Sequence, residues 1–272
     1  MAEADTHLSH APLLSDLKDG ILRLTLNKPE RMNALSEEMM AALSTALGDA
    51  AKDPAVRVVV IDAVPGKVFC AGHDLKELTA HRSDPDRGRA YFTDIMSRCS
   101  SLMQQIVNLP KPVIAAVAGV ATAAGCQLVA SCDLAIATDR ATFCTPGVNI
   151  GLFCSTPMVA LSRNVGRKQA MEMLLTGESI DASAAREFGL INRIVPSEYL
   201  DTVVMKYASV IASKSPLTLK IGKEAFYKQS EMSLEDAYSY CADVMVENML
   251  VRDAEEGIGA FLEKRAPDWE GR

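Results

Sequence analysis

Histidine and tryptophan are almost missing from this chain, with four and one among 272 residues, and aromatic residues reach only 5%. None of the histidines stands at zinc-ligand spacing from a cysteine, and the seven cysteines include no CxxC pair. A structural metal site is therefore not expected. The odd cysteine count reads as small buried thiols in a reducing compartment rather than a disulfide framework. Positive charge is also short: 28 Lys and Arg face 35 Asp and Glu, a net charge of −7. Such a chain binds phosphate backbones poorly, so nucleic acid is not expected as a partner. GxGxxG and P-loop patterns are absent, which leaves dinucleotide and triphosphate binding unsupported.

Long hydrophobic runs are missing as well. The first 20 residues carry acids early, with no basic start and no apolar stretch, and so do not read as a signal peptide. The uncharged segment VIAAVAGVATAAGCQLVA (Val113 to Ala130) is mostly Ala, Gly, Thr and Gln. A buried strand-turn-helix explains it better than a membrane span. A cytoplasmic protein without a membrane partner is the expectation.

What is present is a 49% hydrophobic chain, long enough for one large domain. Residues 1–20 read as a loose leader. Strands are predicted at Ile21 to Leu26, Val56 to Asp62, Lys67 to Cys70, Val113 to Val117 and Ile191 to Val195, on β-branched content and flanking turn residues. Ser36 followed by two glutamates opens a helix. His81 to Gly88 reads as a surface loop before a helix ending near Val107. From Gly166 onward the apolar spacing is mostly helical. The pattern predicts an α/β core over 21–196 followed by a helical region over 197–272.

Two glycine-containing turns follow predicted strands: CAGHDL (Cys70 to Leu75) and GVATAAGCQ (Gly119 to Gln127). A turn that closes a strand and opens a helix leaves backbone N–H groups free. Two such turns side by side would offer paired donors to a developing oxyanion. Close packing is the simpler explanation of either turn alone.

These turns belong to a larger set. NKPERMNALS (Asn27 to Ser36), FCAGHDLKEL (Phe69 to Leu78), PKPVIAAVAGVATAAGCQLVASCDLAIA (Pro110 to Ala137), FCTPGVNIGL (Phe143 to Leu152) and GRKQAMEMLLTGESIDASAAREFGLINRIVP (Gly166 to Pro196) occur in that order. Together they resemble the enoyl-CoA hydratase/isomerase, or crotonase, family, from about Ile21 to Lys264. The resemblance implies a spiral of ββα turns with a C-terminal helical trimerisation region, assembled as a homotrimer or a dimer of trimers. It implies an acyl-CoA thioester as ligand, with coenzyme A part of the substrate and no further cofactor or metal. The thioester oxygen would lie between the backbone N–H groups of His73 and Ala124. Arg31 and Met32 would flank the CoA chain, Asp74 and Leu75 would lie along its adenine side near Lys76, and Ala71 would also contact the substrate. Pro146 and Leu152 would also contact the substrate, and Phe261 and Lys264 would reach the CoA of a neighbouring subunit.

The chain departs from the family at the point of chemistry. Hydratases of the family activate water with two glutamates, and the matching positions here are Gln127 and Gly147. Gln127 hydrogen-bonds but does not titrate, and Gly147 has no side chain. Each positioned acid or base is worth about 10²–10⁴-fold, so efficient hydration is not expected. A double-bond shift, a thioester cleavage or a slow hydration through a stabilised enolate stays open, as does an acyl-CoA binder or scaffold without catalysis. Replacement groups would come from Cys154, Ser155 or the His73 ring. For these, a small helix start and a solvent-facing imidazole are the simpler explanations, because an unassisted thiol is mostly protonated near neutrality.

Overall fold

The computed structural model describes residues 11–272. A hairpin opens it: β1 (Leu13–Lys18) pairs antiparallel with β2 (Ile21–Leu26) across Asp19 and Gly20, both at positive φ. An Asp-Gly pair is the turn chemistry a two-residue hairpin requires. The leader assigned to 1–20 is thus corrected over 13–18; residues 1–10 lie outside the described residues. Four of the six β1 side chains are exposed, so this edge strand lacks the buried alternation that betrays a strand in sequence.

The chain continues through α1 (Glu37–Lys52), whose N-cap Ser36 accepts a hydrogen bond from the Met39 N–H at 3.2 Å. Then a unit repeats three times. The first is β3 (Val58–Ala63), β4 (Val68–Cys70) and α2 (Leu75–Ala80). After the long α3 (Arg89–Asn108) come β5 (Val113–Val117), β6 (Val120–Thr122) and α4 (Ala124–Ser131). The third is β7 (Leu134–Thr138), β8 (Thr142–Cys144) and α5 (Pro157–Leu161). Each unit gives one strand to each of two sheets. With β9 (Ile180–Asp181) and β10 (Arg193–Val195) from further along the chain, the larger sheet runs β1-β2-β3-β5-β7-β10 and the smaller β4-β6-β8-β9, parallel except at β1/β2 and β8/β9. Successive units therefore stack as turns of a spiral, the ββα architecture the resemblance implied. All five β5 residues are buried, which explains its unbroken apolar run.

The remaining elements are α6 (Arg167–Thr176), β9 (Ile180–Asp181), α7 (Ala182–Phe188), β10 (Arg193–Val195) and four helices, α8 (Leu200–Ala212), α9 (Pro216–Gln229), α10 (Leu234–Met249) and α11 (Arg252–Glu263). Val204 and Ala208 of α8 pack on Ile21, Val58, Val60, Ile114 and Ile136 of the large sheet. The helical region begun at 197 therefore closes the core with its first helix. In contrast, α9 to α11 bury only Ala225, Asp253 and Ala260. Their apolar residues face outward: Leu234, Tyr238, Leu250, Phe261 and Leu262 are each at least 74% exposed. No helix among the described residues is long and apolar enough to cross a membrane.

One buried polar knot fastens α9 to the spiral. Lys223 Nζ donates to Asp133 Oδ2 at 2.6 Å and to the carbonyls of Ile106 and Lys111 at 2.9 and 3.0 Å. Asp133 also accepts from Tyr227 OH and the Val113 N–H, at 2.9 and 2.7 Å. Burial pushes the Lys223 pKa down, with Asp133 pulling against it. Removing one partner of such a pair strands the other charge. Asp133→Ala is expected to cost about 3–5 kcal/mol, read as a lowered urea midpoint. A loss below about 1 kcal/mol, the range of an exposed pair, would contradict this account.

Candidate active site

Two strand-to-helix turns meet at the ends of β4 and β6. Gly72, at φ 84°, lies so close to the second turn that a Cβ there would sit 3.0 Å from both the Ala123 Cβ and the Ala124 nitrogen. At Gly125 a Cβ would fall 2.1 Å from the Cys70 carbonyl oxygen. Only glycine lets these two backbones approach so closely. Asp74 caps α2 by accepting from the N–H groups of Lys76 and Glu77 at 2.9 and 3.3 Å. The N–H groups of His73 and Ala124 have no acceptor among the described residues. Ala123 between β6 and α4 holds φ 52° and ψ −120°, a backbone strain costing on the order of 1–3 kcal/mol. Its N–H donates to Cys144 O at 2.9 Å and its carbonyl accepts from the Gln127 N–H at 3.0 Å, which hold the turn in shape.

The two positions of departure lie beside this turn. Gln127 is 4% exposed and its Oε1 has no hydrogen-bond partner. Gly147 is buried, and its surroundings are full. A Cβ there would lie 2.9 Å from Cys154 Sγ and 2.9 Å from Leu152 O. Cys154 is itself buried and accepts from the Gly147 N–H at 3.3 Å. Its sulfur thus occupies the space that a side chain at 147 would enter. Burial pushes the Cys154 thiol pKa up, the Gly147 N–H opposing. Ser155 is exposed, and its hydroxyl donates to Phe153 O at 3.3 Å.

The His73 ring corrects the sequence reading. Both ring nitrogens are shielded from solvent and neither has a hydrogen-bond partner. Burial pushes the imidazole pKa down, more than the nearby Leu35 backbone pulls it up. The ring is therefore neutral near pH 7 and turned inward, because the turn threads beside buried Leu35, whose N–H donates to Gly72 O at 2.7 Å. Thr145, which sequence reasoning passed over, is 1% exposed, and its Oγ1 also has no partner. Its place in the FCTPG segment was visible; its burial was not.

The expected CoA-side residues gather around the first turn. Arg31 Nη1 lies 3.4 Å from Asp74 Oδ2 and 3.5 Å from Glu77 Oε1, so a half-exposed arginine ties its loop to the start of α2. Met32 and Leu75 are 57% and 53% exposed, Lys76 is exposed, and the Ala71 N–H donates to Met32 O at 3.1 Å. Asn33, another residue missed, shapes this loop. It is buried at φ 49°, accepts from the Lys28 N–H at 2.8 Å and donates to Val68 O at 3.1 Å. Asparagine tolerates the left-handed region better than most side chains, a signal the sequence did carry. Pro146 opens a short 3₁₀ turn (Pro146–Ile150), and Leu152 follows it half-exposed. Phe261 is 82% exposed, and Lys264 ends α11 at φ 56°. Both stand on the outer helical region, apart from the two turns in the chain's own packing. Among the described residues no group of three His, Cys, Asp or Glu side chains is placed to hold a metal ion.

The seven cysteines separate cleanly. Six are buried and Cys241 is not. Burial pushes Cys70 up to about 12 and Cys99 up to about 11. Thiolate is the reactive form, so a maleimide at pH 8 is expected to modify the native protein first at Cys241. Rapid modification of Cys154 would restore it as a candidate nucleophile.

The chain matches the family model described as enoyl-CoA hydratase/isomerase over residues 16–272. It is 47% identical to the enoyl-CoA hydratase domain-containing protein 3, mitochondrial, of Xenopus laevis, covering 98% of this chain and 89% of that protein. A crystal structure of an enoyl-CoA hydratase from Mycobacterium smegmatis superposes with TM-score 0.90 at 51% identity, covering 95% and 98% of the two chains. The crystal structure of human enoyl-CoA hydratase domain-containing protein 3 also superposes with TM-score 0.90, at 47% identity and coverage of 95% and 100%. The expected cytoplasmic location is overturned by these names: the Xenopus, rat, mouse and human relatives are all called mitochondrial. Fold, motif order and full-length similarity agree that this chain belongs to the enoyl-CoA hydratase/isomerase family.

Proposed function

We propose that this protein binds an acyl-CoA thioester with its carbonyl oxygen between the His73 and Ala124 N–H groups, polarising it toward an enolate. The observation that carries the reading is the pair of free N–H groups on two turns locked together at Gly72 and Gly125. Donors fixed in advance stabilise developing negative charge without reorganisation, and one such donor is worth about 10²–10³-fold. Coenzyme A enters as part of the substrate, and no other cofactor is invoked.

Hydration is the weak part of this chemistry. With Gln127 and Gly147 in place of two proton-transferring groups, each worth about 10²–10⁴-fold, addition of water to a 2-enoyl thioester has no evident base or acid. A second reading, an acyl-CoA binder without turnover, is favoured by the Cys154 sulfur filling the space beside Gly147. Calorimetric titration with crotonyl-CoA, together with loss of its enoyl absorbance, tests both. Binding is expected, with turnover at least about a hundredfold below an ordinary hydratase. Gln127→Glu is expected to raise turnover. Adding Gly147→Glu brings no further gain, because the new side chain collides with Cys154. Turnover equal to ordinary hydratases would overturn the reading of Gln127 and Gly147 and the binder without turnover, and absence of binding would overturn the thioester proposal itself.

Self-association as a homotrimer or a dimer of trimers is part of the same proposal. The apolar face of α10 and α11 supports it, since so large an exposed patch calls for a partner. Phe261 and Lys264 lie on that region, where they would meet a neighbour's ligand. Light scattering is expected to report three or six times the 29.3 kDa chain mass; a monomer would refute it.

A further inference from the structure

The loop from His81 to Gly88 and the first turns of α3 enclose a cavity of about 660 Å³. Arg82, Arg87 and Arg89 line it, together with the half-buried Phe92 and Met96. None of the residues expected to meet CoA is among its walls. Arginines elsewhere, such as Arg31, Arg98 and Arg265, sit against carboxylates. These three have no carboxylate partner among the described residues. The acids of the loop are engaged otherwise. Asp84 Oδ2 holds His81 Nδ1 at 2.8 Å. Asp86, which also lines the cavity, accepts from the Gly88 and Ala90 N–H groups at 2.9 and 2.8 Å. Like charges gathered in this way repel one another, and they do so in a chain whose net charge is −7.

The loop backbone is held in place. The His81 ring stacks on Tyr91 with centroids 3.6 Å apart, and the Arg82 guanidinium lies 5.8 Å from the Phe92 ring centre. A Cβ at Gly88 would fall 2.8 Å from the His81 carbonyl oxygen, so the loop closes tightly there. Arg87 before it holds φ 61°, uncommon for so bulky a side chain. A preorganised loop loses less freedom on meeting a ligand. The cavity has the size of a small-molecule site. A carboxylate brings one charge and two oxygens, enough for a single guanidinium fork. A phosphate monoester brings nearly two charges and three terminal oxygens, which meet more than one fork. We infer that this cavity binds an organic phosphate, its phosphate among Arg82, Arg87 and Arg89 and its apolar or aromatic body against Phe92 and Met96. The site is separate from the one assigned to the thioester.

Calorimetric titration of the full-length protein with phenyl phosphate, inorganic phosphate, benzoate and phthalate tests this. Phenyl phosphate is expected to bind more tightly than phthalate and at least about tenfold more tightly than benzoate or inorganic phosphate, which lack the second charge or the apolar body. Replacing all three arginines together (Arg82→Gln, Arg87→Gln and Arg89→Gln), with retained fold checked by circular dichroism, is expected to weaken phenyl phosphate at least about tenfold. Arg140→Gln, at an exposed position elsewhere, leaves its affinity unchanged. No saturable binding of phenyl phosphate, phthalate binding as tightly, or a folded triple variant with wild-type affinity would each overturn the inference. An equal loss in Arg140→Gln would also overturn it, by reducing the effect to diffuse charge attraction. The triple variant is expected to bind crotonyl-CoA as the wild type does; a matching loss would assign the arginines to the phosphates of CoA and overturn a separate site. Phenyl phosphate binding without any crotonyl-CoA binding would remove the thioester reading and leave this one standing. The wild-type ranking of the four probes decides the matter even where the triple variant does not fold.

Discussion

Two backbones in near-contact govern this molecule. The Cys70 carbonyl leaves no room for a Cβ at Gly125, and the Ala124 nitrogen leaves almost none at Gly72. Successive turns of the spiral lie side by side in the small sheet, with β4 and β6 in direct pairing. The N–H groups of His73 and Ala124 are neighbours because of that approach. Chain stiffness and steric exclusion, rather than any charged side chain, set the donor pair. The strain at Ala123 belongs to the same arrangement, held by hydrogen bonds at both its N–H and its carbonyl.

Beside this frame stand a glutamine at 127 and a glycine at 147, neither of which titrates. The backbone part of the site tolerates substitution because an amide donates whatever side chain it bears, whereas proton transfer depends wholly on residue type. Gln127 keeps hydrogen-bonding capacity without titrating. At Gly147 the loss goes further, since Cys154 and the Leu152 carbonyl now crowd the position. A side chain at 127 and a side chain at 147 are therefore different demands on the packing. The His73 ring nitrogens are shielded from solvent, and burial lowers the pKa of the imidazole.

The fold's legibility followed burial. Strands β2, β3 and β5, buried through most of their length, stand out as apolar runs, and α7 and α8 fall in the stretch of helical spacing beyond Gly166. Strand β1 was read as a loose leader because an exposed edge strand has no alternation to display. Strand β6 is hidden inside a glycine-containing segment; its Val120 and Ala121 pair with strands on both sides and its Thr122 with β8 alone. Helix α8 looks like the start of a separate region, yet it covers one face of the large sheet through contacts between residues far apart in the chain, such as Ile21 and Val204.

Sequence alone determined the alternation of strands and helices in the core, the family resemblance, and which residues (His73, Ala124, Gln127 and Gly147) stand at the positions that the resemblance singles out. These are matters of residue identity and local spacing, which a linear chain displays directly. Tertiary structure alone decided that Cys154 fills the space beside Gly147, that the His73 ring faces inward, and that Thr145 joins Gln127 among the unpartnered buried atoms. Those facts depend on burial and on contacts between distant segments, and the order of residues along a chain does not state which side chains folding will remove from water.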